Sequence, residues 1–155
     1  MIPEQIQMGS VSVNVQQMEN GEMRFRMLGQ DGSTYIRTEA SLHSGWQKSH
    51  YHRTLRELYL VSSGWILIAV LDGDSLKITR LEVGQTYLTQ PGVPHNVYMS
   101  PFAVTHTVKF GNREPGDWFP SEELDKRISL LQIEGDRKES QYENQNHHNP
   151  GRRGG

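Results

Sequence analysis

The fold of this chain is decided by residues 45–64, which read GWQKSHYHRTLRELYLVSSG and contain His50, His52 and Glu57. A further histidine, His95, follows a downstream turn built from proline and glycine. On a β-strand, residues two positions apart leave by the same face, so the side chains of His50 and His52 share one side. Three imidazoles and one carboxylate that meet inside a β-barrel would form a site for a divalent transition metal.

The hydrophobic pattern of the chain before the C-terminal region has the period of two that a half-buried strand requires. Met23, Phe25 and Met27, for example, alternate with Arg24 and Arg26. Turns that contain glycine, proline or aspartate separate these short runs, which is typical of a β-sandwich or β-barrel. The predicted fold is therefore all-β, with strands over residues 23–27, 35–40, 57–61, 65–72, 76–81, 85–89, 96–99 and 103–110.

One helix is predicted after the strands. Ser121 is a suitable N-cap, and Glu122 would lie at the positive end of the helix dipole. Leu124, Ile128 and Leu131 follow at helical spacing, so one apolar stripe can pack on the outside of the barrel.

Composition excludes several classes of function. The 155 residues contain no internal repeat, which favours one domain. The net charge of −2 gives no electrostatic reason to expect nucleic acid or an anionic membrane as a partner. The longest apolar run, residues 65–71, is too short for a bilayer, and residues 1–5 lack signal-peptide features, so we expect a cytoplasmic protein. The absence of cysteine leaves histidine and carboxylate as the strong metal ligands.

Two stretches resemble the sequence motifs of the cupin superfamily. Residues 45–64 are similar to the first motif, with one residue fewer than usual before its first histidine. Residues 84–95, GQTYLTQPGVPH, are similar to the second motif, with Gln90 where a proline is common. Met99 stands in the region where cupins often have an asparagine. None of these departures falls on a ligand position.

The resemblance covers about residues 34–111 and implies a small jelly-roll barrel, often a homodimer, with a metal ion at its centre. The metal ligands that it implies are His50, His52, Glu57 and His95. It divides the chain into N-terminal strands at 1–33 that complete the barrel or a dimer interface, a cupin core at 34–111, a loop and helix at 112–134, and a tail at 135–155. The tail is poor in aliphatic residues, so we expect it to be disordered, with His147 and His148 solvated.

The ligand set suits several divalent ions, among them Fe, Mn, Ni, Zn and Co. Four ligands on rigid strands would leave open positions of an octahedral shell for water, substrate oxygens or dioxygen. Such an ion works as a Lewis acid, a generator of hydroxide or a redox centre. Gly64 and Gly92 are expected to permit the tight turns that aim the ligands inward.

Two residues are candidates for proton transfer. His106 alternates in step with Val104 and Val108, so it is predicted to face the barrel interior as a catalytic residue, the alternative being a hydrogen-bonded core histidine. Tyr59 shares the face of Glu57, and its hydroxyl could lie near the metal, the alternative being a packed aromatic ring.

Substrate contacts are predicted from basic residues. Lys48 lies two positions before His50 and could meet an anionic substrate, the alternative being a solvated lysine. Arg37, like the arginines of the 23–27 strand, is expected outside the barrel, unless one of them crosses the mouth to hold a carboxylate or phosphate. Trp118 and Phe119 are expected to anchor the helix on the barrel.

The resemblance leaves the reaction open. A dioxygenase, isomerase or epimerase, lyase or decarboxylase that acts on a small oxygen-rich molecule is the first hypothesis, with the substrate chelating the ion. The alternative is a non-catalytic module that binds a sugar or keto acid. An inert, metal-stabilised scaffold is less favoured, because structural metal sites are normally closed.

Overall fold

The computed structural model describes residues 5–8, 11–43, 45–111 and 115–131, so the tail predicted at 135–155 lies outside the described residues. The described part of the chain forms twelve strands and one helix. In chain order these are β1 (Gln5–Met8), β2 (Val11–Gln17), β3 (Met23–Gly29), β4 (Thr34–Glu39), β5 (His50–Tyr51), β6 (Arg56–Ser63), β7 (Ile66–Asp72), β8 (Ser75–Leu81), β9 (Thr86–Leu88), β10 (His95–Met99), β11 (Val104–Phe110), β12 (Phe119–Pro120) and α1 (Glu122–Ser129).

Two antiparallel sheets enclose the hydrophobic core. The larger sheet has seven strands in the order β1-β2-β3-β4-β11-β6-β9, and the smaller has five in the order β12-β5-β10-β7-β8. Val61 from the larger sheet packs against Ile66, Ile68 and Met99 from the smaller one, and all four side chains are fully buried. The prediction of a jelly-roll β fold with one C-terminal helix is confirmed.

The predicted strands all appear, each within two residues of its predicted bounds. Strand β2 was missing from the predicted ranges, although Val11, Val13 and Val15 alternate with polar residues as a half-buried strand requires. Strands β5 and β12 have two residues each, which is too short for periodicity to identify. Together β1, β2 and β3 extend the larger sheet beyond β4.

The faces of the larger sheet differ from the prediction on β11. This strand pairs with β6 so that Lys109 lies opposite Glu57 and Thr107 opposite Tyr59. Glu57, Tyr59 and Thr107 are all buried, which places the threonine and lysine inside the barrel and His106 outside. The prediction that His106 faces the interior is therefore wrong.

The same inversion continues into β3. Arg24 lies opposite Thr38, a buried residue of β4, and Arg26 lies opposite Ile36 on the same face, so both arginines point to the interior side. The expectation that they lie outside is wrong because this part of the barrel wall lines a polar mouth. The apolar residues of these strands lie on the outer face instead, where Met27 and Val108 are 37% and 41% exposed.

The helix α1 packs on the outer face of the smaller sheet. Ser121 caps it by accepting a hydrogen bond from the backbone N–H of Leu124, as predicted. Leu124 and Ile128 are buried against Ala69 and Leu71 of β7. Among the described residues, no helix combines the length and hydrophobicity that a membrane span needs.

Candidate metal centre

Four side chains that are distant in sequence meet between the two sheets. His50 lies on β5, His52 follows it, Glu57 lies on β6 and His95 begins β10, where it pairs directly with His50. One ligand atom from each of the four residues lies within 4.8 Å of the others. The structure therefore brings together all four residues that the sequence motifs proposed as ligands.

Each of the three imidazoles is oriented by a backbone carbonyl. Nδ1 of His50 donates to the carbonyl oxygen of Lys48 at 2.9 Å, and Nδ1 of His95 donates to that of Val93 at 3.1 Å. Nδ1 of His52 donates to the carbonyl oxygen of Asp117. Because a carbonyl can only accept, the neutral form of each ring keeps its lone pair on Nε2, which is the tautomer that binds a metal.

The three Nε2 atoms all face one carboxylate oxygen. Glu57 Oε2 lies 2.6 Å from Nε2 of His95 and 3.5 Å from Nε2 of both His50 and His52. Nε2 of His50 and Nε2 of His52 are buried and have no hydrogen-bond partner among the described residues. Four acceptors that converge out of contact with water repel one another unless a cation or a proton lies between them, so these residues fit a metal ion.

Electrostatics favours the metal-binding form of these ligands. Burial raises the pKa of Glu57, but the facing imidazoles and the positive charge of Lys109 outweigh this and hold the pKa well below its usual range. Burial lowers the pKa of His50, against the opposing effect of Glu57. At neutral pH the cluster therefore contains a carboxylate anion and a neutral His50 ring.

Two further side chains contact Glu57. The hydroxyl of Tyr59 donates to Oε2 at 3.1 Å, and Nζ of Lys109 lies 2.9 Å from Oε1. Burial and then the negative charge of Glu57 raise the pKa of Tyr59 well above its usual value. Tyr59 thus lies where it was predicted, whereas Lys109 was missed, because its neighbours Val108 and Phe110 suggested the opposite alternation.

Asp117 holds the turn between β5 and β6. Its carboxylate accepts hydrogen bonds from the backbone N–H groups of Arg53, Thr54 and Leu55 and from the hydroxyl of Thr54, at 2.6–3.1 Å. Burial raises the pKa of Asp117, but these hydrogen bonds outweigh it and hold the pKa well below its usual value. Since its carbonyl also orients His52, Asp117 fixes both ends of this turn.

The residues before α1 close over β5. The indole of Trp118 stacks on His50 with 5.4 Å between ring centroids, and Phe119 stacks on Tyr51 with 5.3 Å. The two aromatic residues thus hold the segment before the helix on the strand that carries His50. Asp117 and Trp118 were missed as site residues, because no sequence spacing links them to the histidine motif.

Both glycines of the motifs lie in turns with positive φ, Gly64 after the end of β6 that is remote from Glu57 and Gly92 before His95. Gly64 has φ of +70°, and a Cβ there would lie 2.7 Å from Ser100 Oγ and 2.9 Å from Ala103 Cβ. Gly92 has φ of +77°, and its N–H donates to the carbonyl oxygen of His52 at 2.6 Å. The second glycine therefore ties the turn before His95 to the segment after β5 that carries His52.

A polar cavity of about 610 Å³ opens beside His50. It is bounded by the β2–β3 hairpin on one side and by the chain around β5 on the other. Its lining combines amides, two basic side chains and two indoles, from Gln16, Gln17, Met18, Glu19, Asn20, Arg24, Trp46, Gln47, Lys48, His50 and Trp118. Lys48 is thus placed at this cavity, and Arg24 joins it while paired with the buried Glu22 at 2.9 Å.

Comparison with known proteins identifies the fold. No protein-family profile and no curated protein sequence matches the chain. Among solved structures, KdgF from Halomonas sp. has a TM-score of 0.54 and 14% identity, covering 65% of this chain and 87% of that one. An oxalate oxidase in complex with glycolate has a TM-score of 0.53 and 20% identity, covering 64% and 55%. The chain has a cupin fold.

The similarity to these solved structures is confined to the fold. The oxalate decarboxylase of Bacillus subtilis, a protein with Mn(II) centres, has a TM-score of 0.50 and 12% identity. The alignment with the decarboxylase covers 77% of this chain and 30% of the decarboxylase. The alignment with the oxalate oxidase covers about half of that protein.

Two predicted site residues lie elsewhere on this cupin fold. His106 is on the outer face of the larger sheet, where Nδ1 contacts the hydroxyl of Tyr35 at 2.6 Å and Nε2 contacts Ser62 Oγ at 3.1 Å. Arg37 is on the same outer face and pairs with Glu39 at 3.0 Å. The prediction that His106 faces the interior is therefore wrong, whereas Arg37 lies outside the barrel, as expected, and is not among the residues that line the cavity.

Proposed function

We propose that this protein is a metal-dependent enzyme that acts on a small oxygen-rich substrate, with the substrate binding the ion through two oxygens. The observation that carries the proposal is the set of four ligand atoms within 4.8 Å, two of them buried imidazole nitrogens without a hydrogen-bond partner among the described residues. His50, His52, Glu57 and His95 would hold the ion. When bound, a divalent ion at this site supplies Lewis-acid or redox chemistry.

Manganese is the ion that we propose first among the candidates Fe, Mn, Ni, Zn and Co. The carboxylate of Glu57 suits manganese, whereas imidazoles are typical ligands of Fe, Ni and Zn. What favours manganese is that the oxalate decarboxylase of Bacillus subtilis, which has the same fold, has Mn(II) centres. Neutral imidazoles and one carboxylate would leave a net positive centre, which favours an anionic substrate oxygen.

We propose that the substrate enters through the cavity beside His50. Its volume of about 610 Å³ is within the range that encloses ligands of drug size, well above the needs of a two-carbon acid. Lys48 and Arg24 would bind an anionic group of the substrate, and the amides of Gln16 and Gln47 would bind its hydroxyls. The indole of Trp118, 45% exposed, would cover the substrate on the side of His50.

Tyr59 is the candidate for proton transfer nearest to the centre, because its hydroxyl is 3.1 Å from Glu57 Oε2. A positioned hydroxyl can hand a proton to a substrate oxygen only if it comes within hydrogen-bond reach of it. In the free protein its contact is the carboxylate, so its first task would be to fix the orientation of Glu57.

We also propose a homodimer formed through the outer face of the larger sheet. Met27, Leu60, Val108 and Phe110 are each 37–41% exposed there, and such apolar patches commonly mark interfaces. Light scattering should give twice the chain mass for the native protein and the chain mass for Phe110→Lys. Val83→Lys is the matched control, since Val83 is 61% exposed but lies in the turn after β8. A native monomer would contradict the dimer.

The proposed activity is tested by metal content and turnover. Metal-loaded protein is assayed with oxygen uptake and with a panel of hydroxy acids, keto acids and sugar acids. Glu57→Gln should abolish turnover, whereas Glu82→Gln, at an exposed glutamate directly after β8, should leave it unchanged. Saturable binding without turnover of any panel member would favour the binding module, and the absence of bound metal would contradict the proposal.

A further inference from the structure

The two oxygens of Glu57 have different surroundings. Oε2 faces the three imidazoles and the hydroxyl of Tyr59, with His95 Nε2 at 2.6 Å. Oε1 faces away from them and lies 2.9 Å from Nζ of Lys109. Because the Glu57 side chain is 2% exposed, bulk water does not compete for either oxygen. One oxygen of the carboxylate therefore contacts the three imidazoles, and the other contacts the ammonium group of Lys109.

The sheet itself puts Lys109 in this position. β11 pairs with β6 so that Lys109 lies directly opposite Glu57, and the lysine side chain is 21% exposed. Its neighbours Val108 and Phe110 are both 41% exposed on the other face. Large apolar side chains are usually buried and lysine is usually exposed, but β11 has the opposite arrangement at these positions. The inward ammonium therefore requires a specific partner.

We propose that Lys109 is a positioning residue that confines Glu57 to one oxygen at the metal centre. This inference rests on the proposed metal site. The ammonium donates to Oε1 and occupies the lone pair that a two-oxygen binding mode would use. Glu57 then contributes Oε2 alone, and one coordination position stays open for a substrate oxygen. The charge of Lys109 also opposes a nearby cation, so the lysine lowers metal affinity while it preserves the open position.

The experiment compares the full chain and Lys109→Met, both loaded with Mn²⁺, by water-proton relaxivity and electron paramagnetic resonance. Four protein donors leave two positions of a six-coordinate ion and five leave one, so relaxivity should fall by about half in Lys109→Met. The resonance spectrum should change with it, and Mn²⁺ should bind at least as tightly as before. Lys109→Arg should restore the native relaxivity. Lys77→Met, which removes an exposed strand lysine, should change nothing.

Lys109→Gln keeps a hydrogen-bond donor for Glu57 Oε1 but removes the positive charge. It tests the role of Lys109 if Lys109→Met does not fold. A glutamine amide still donates to Oε1, so we expect native relaxivity together with tighter Mn²⁺ binding. Native relaxivity in a metal-loaded Lys109→Met, or weaker Mn²⁺ binding in either uncharged variant, would overturn the role of Lys109. Failure of the native chain to bind Mn²⁺ or another candidate ion would instead overturn the metal centre itself.

Discussion

Two clusters of polar side chains lie on either side of the larger sheet, one around His106 and one around Glu57, and they differ in how the ring nitrogens of their histidines are satisfied. On the outer face, both nitrogens of His106 have a side-chain partner, Tyr35 on one side and Ser62 on the other. In the cluster between the two sheets, His50 and His52 each have one nitrogen bound to a backbone carbonyl and a buried Nε2 without a hydrogen-bond partner among the described residues.

The difference separates a structural histidine from a ligand. A buried polar atom without a partner costs free energy, so a fold that retains two of them beside a carboxylate provides a place for a cation. Both ring nitrogens of His106 have a partner, so its hydrogen bonds to Tyr35 and Ser62 are sufficient to explain a structural role in the sheet. We therefore expect histidine to have a structural role on the outer side of the larger sheet and a ligand role in the proposed metal centre on its inner side.

The largest expected effect is on metal affinity. His52→Ala removes a proposed ligand. Loss of a residue that only hydrogen-bonds to a ligand typically lowers metal affinity by about 10- to 100-fold, so we expect Mn²⁺ affinity to fall by about 100-fold or more in His52→Ala. His106→Ala should leave the affinity unchanged. Titration of metal-free protein followed by elemental analysis measures both, and equal losses in the two variants would break the distinction between the clusters.

The second effect is on stability and its dependence on pH. Asp117→Asn weakens a group of charged hydrogen bonds, so we expect the free energy of unfolding to fall by about 2 kcal/mol. Because folding lowers the pKa of Asp117, its stabilisation is present above the unfolded pKa of about 4 and is lost as the pH falls below it.

Denaturant unfolding from neutral pH down to pH about 2 follows this loss, a range that spans the unfolded pKa of aspartate. The difference between the native protein and Asp117→Asn should shrink as the solution becomes acidic. Asp74→Asn, at a fully exposed aspartate, should show no comparable difference. A difference in the free energy of unfolding between the two proteins that stays constant with pH would contradict the role assigned to the Asp117 carboxylate.

The third effect concerns substrate affinity. Lys48→Met should raise KM for an anionic substrate about tenfold, the equivalent of 1.4 kcal/mol, with kcat nearly unchanged. Lys77→Met is the matched control, and Arg37→Met tests the outer face in the same assay. An equal change in kcat and kcat/KM would mean that Lys48 acts in the transition state and not in binding.

The smallest effect compares two tyrosines that serve the two clusters. Tyr59→Phe removes a hydrogen bond to Glu57, so we expect a loss of about 1 kcal/mol in unfolding free energy and a modest fall in Mn²⁺ affinity. Tyr35→Phe removes the contact to His106 and should lower stability alone. Metal loss in the Tyr35 variant would show that the two faces are coupled.

Much of the fold was predictable because strand periodicity and turn residues are local properties. The four proposed ligands were also predictable, since their spacing in two motifs is preserved in the sequence. The faces of β3 and β11 were not, because the sequence does not tell which side of an alternating strand is buried. In β11 the polar residues Thr107 and Lys109 lie inside and Val108 lies outside, against the usual rule.

The contribution of the C-terminal segment could not be predicted from spacing. Asp117 and Trp118 lie more than sixty residues after His52 and His50, and they reach them only because β12 pairs with β5. Pairing between two-residue strands leaves no periodic pattern. Arg24 was placed on the wrong side for a related reason, since a strand that lines a cavity carries polar residues on its inner face.

The most direct test is a Mn²⁺ titration of the metal-free full chain, repeated with His50→Ala and His106→Ala. We expect one ion per chain, an electron paramagnetic resonance signal from nitrogen and oxygen ligands, loss of tight binding in His50→Ala and native binding in His106→Ala. Native binding in His50→Ala, or no binding of any candidate divalent ion by the native chain, would contradict this expectation.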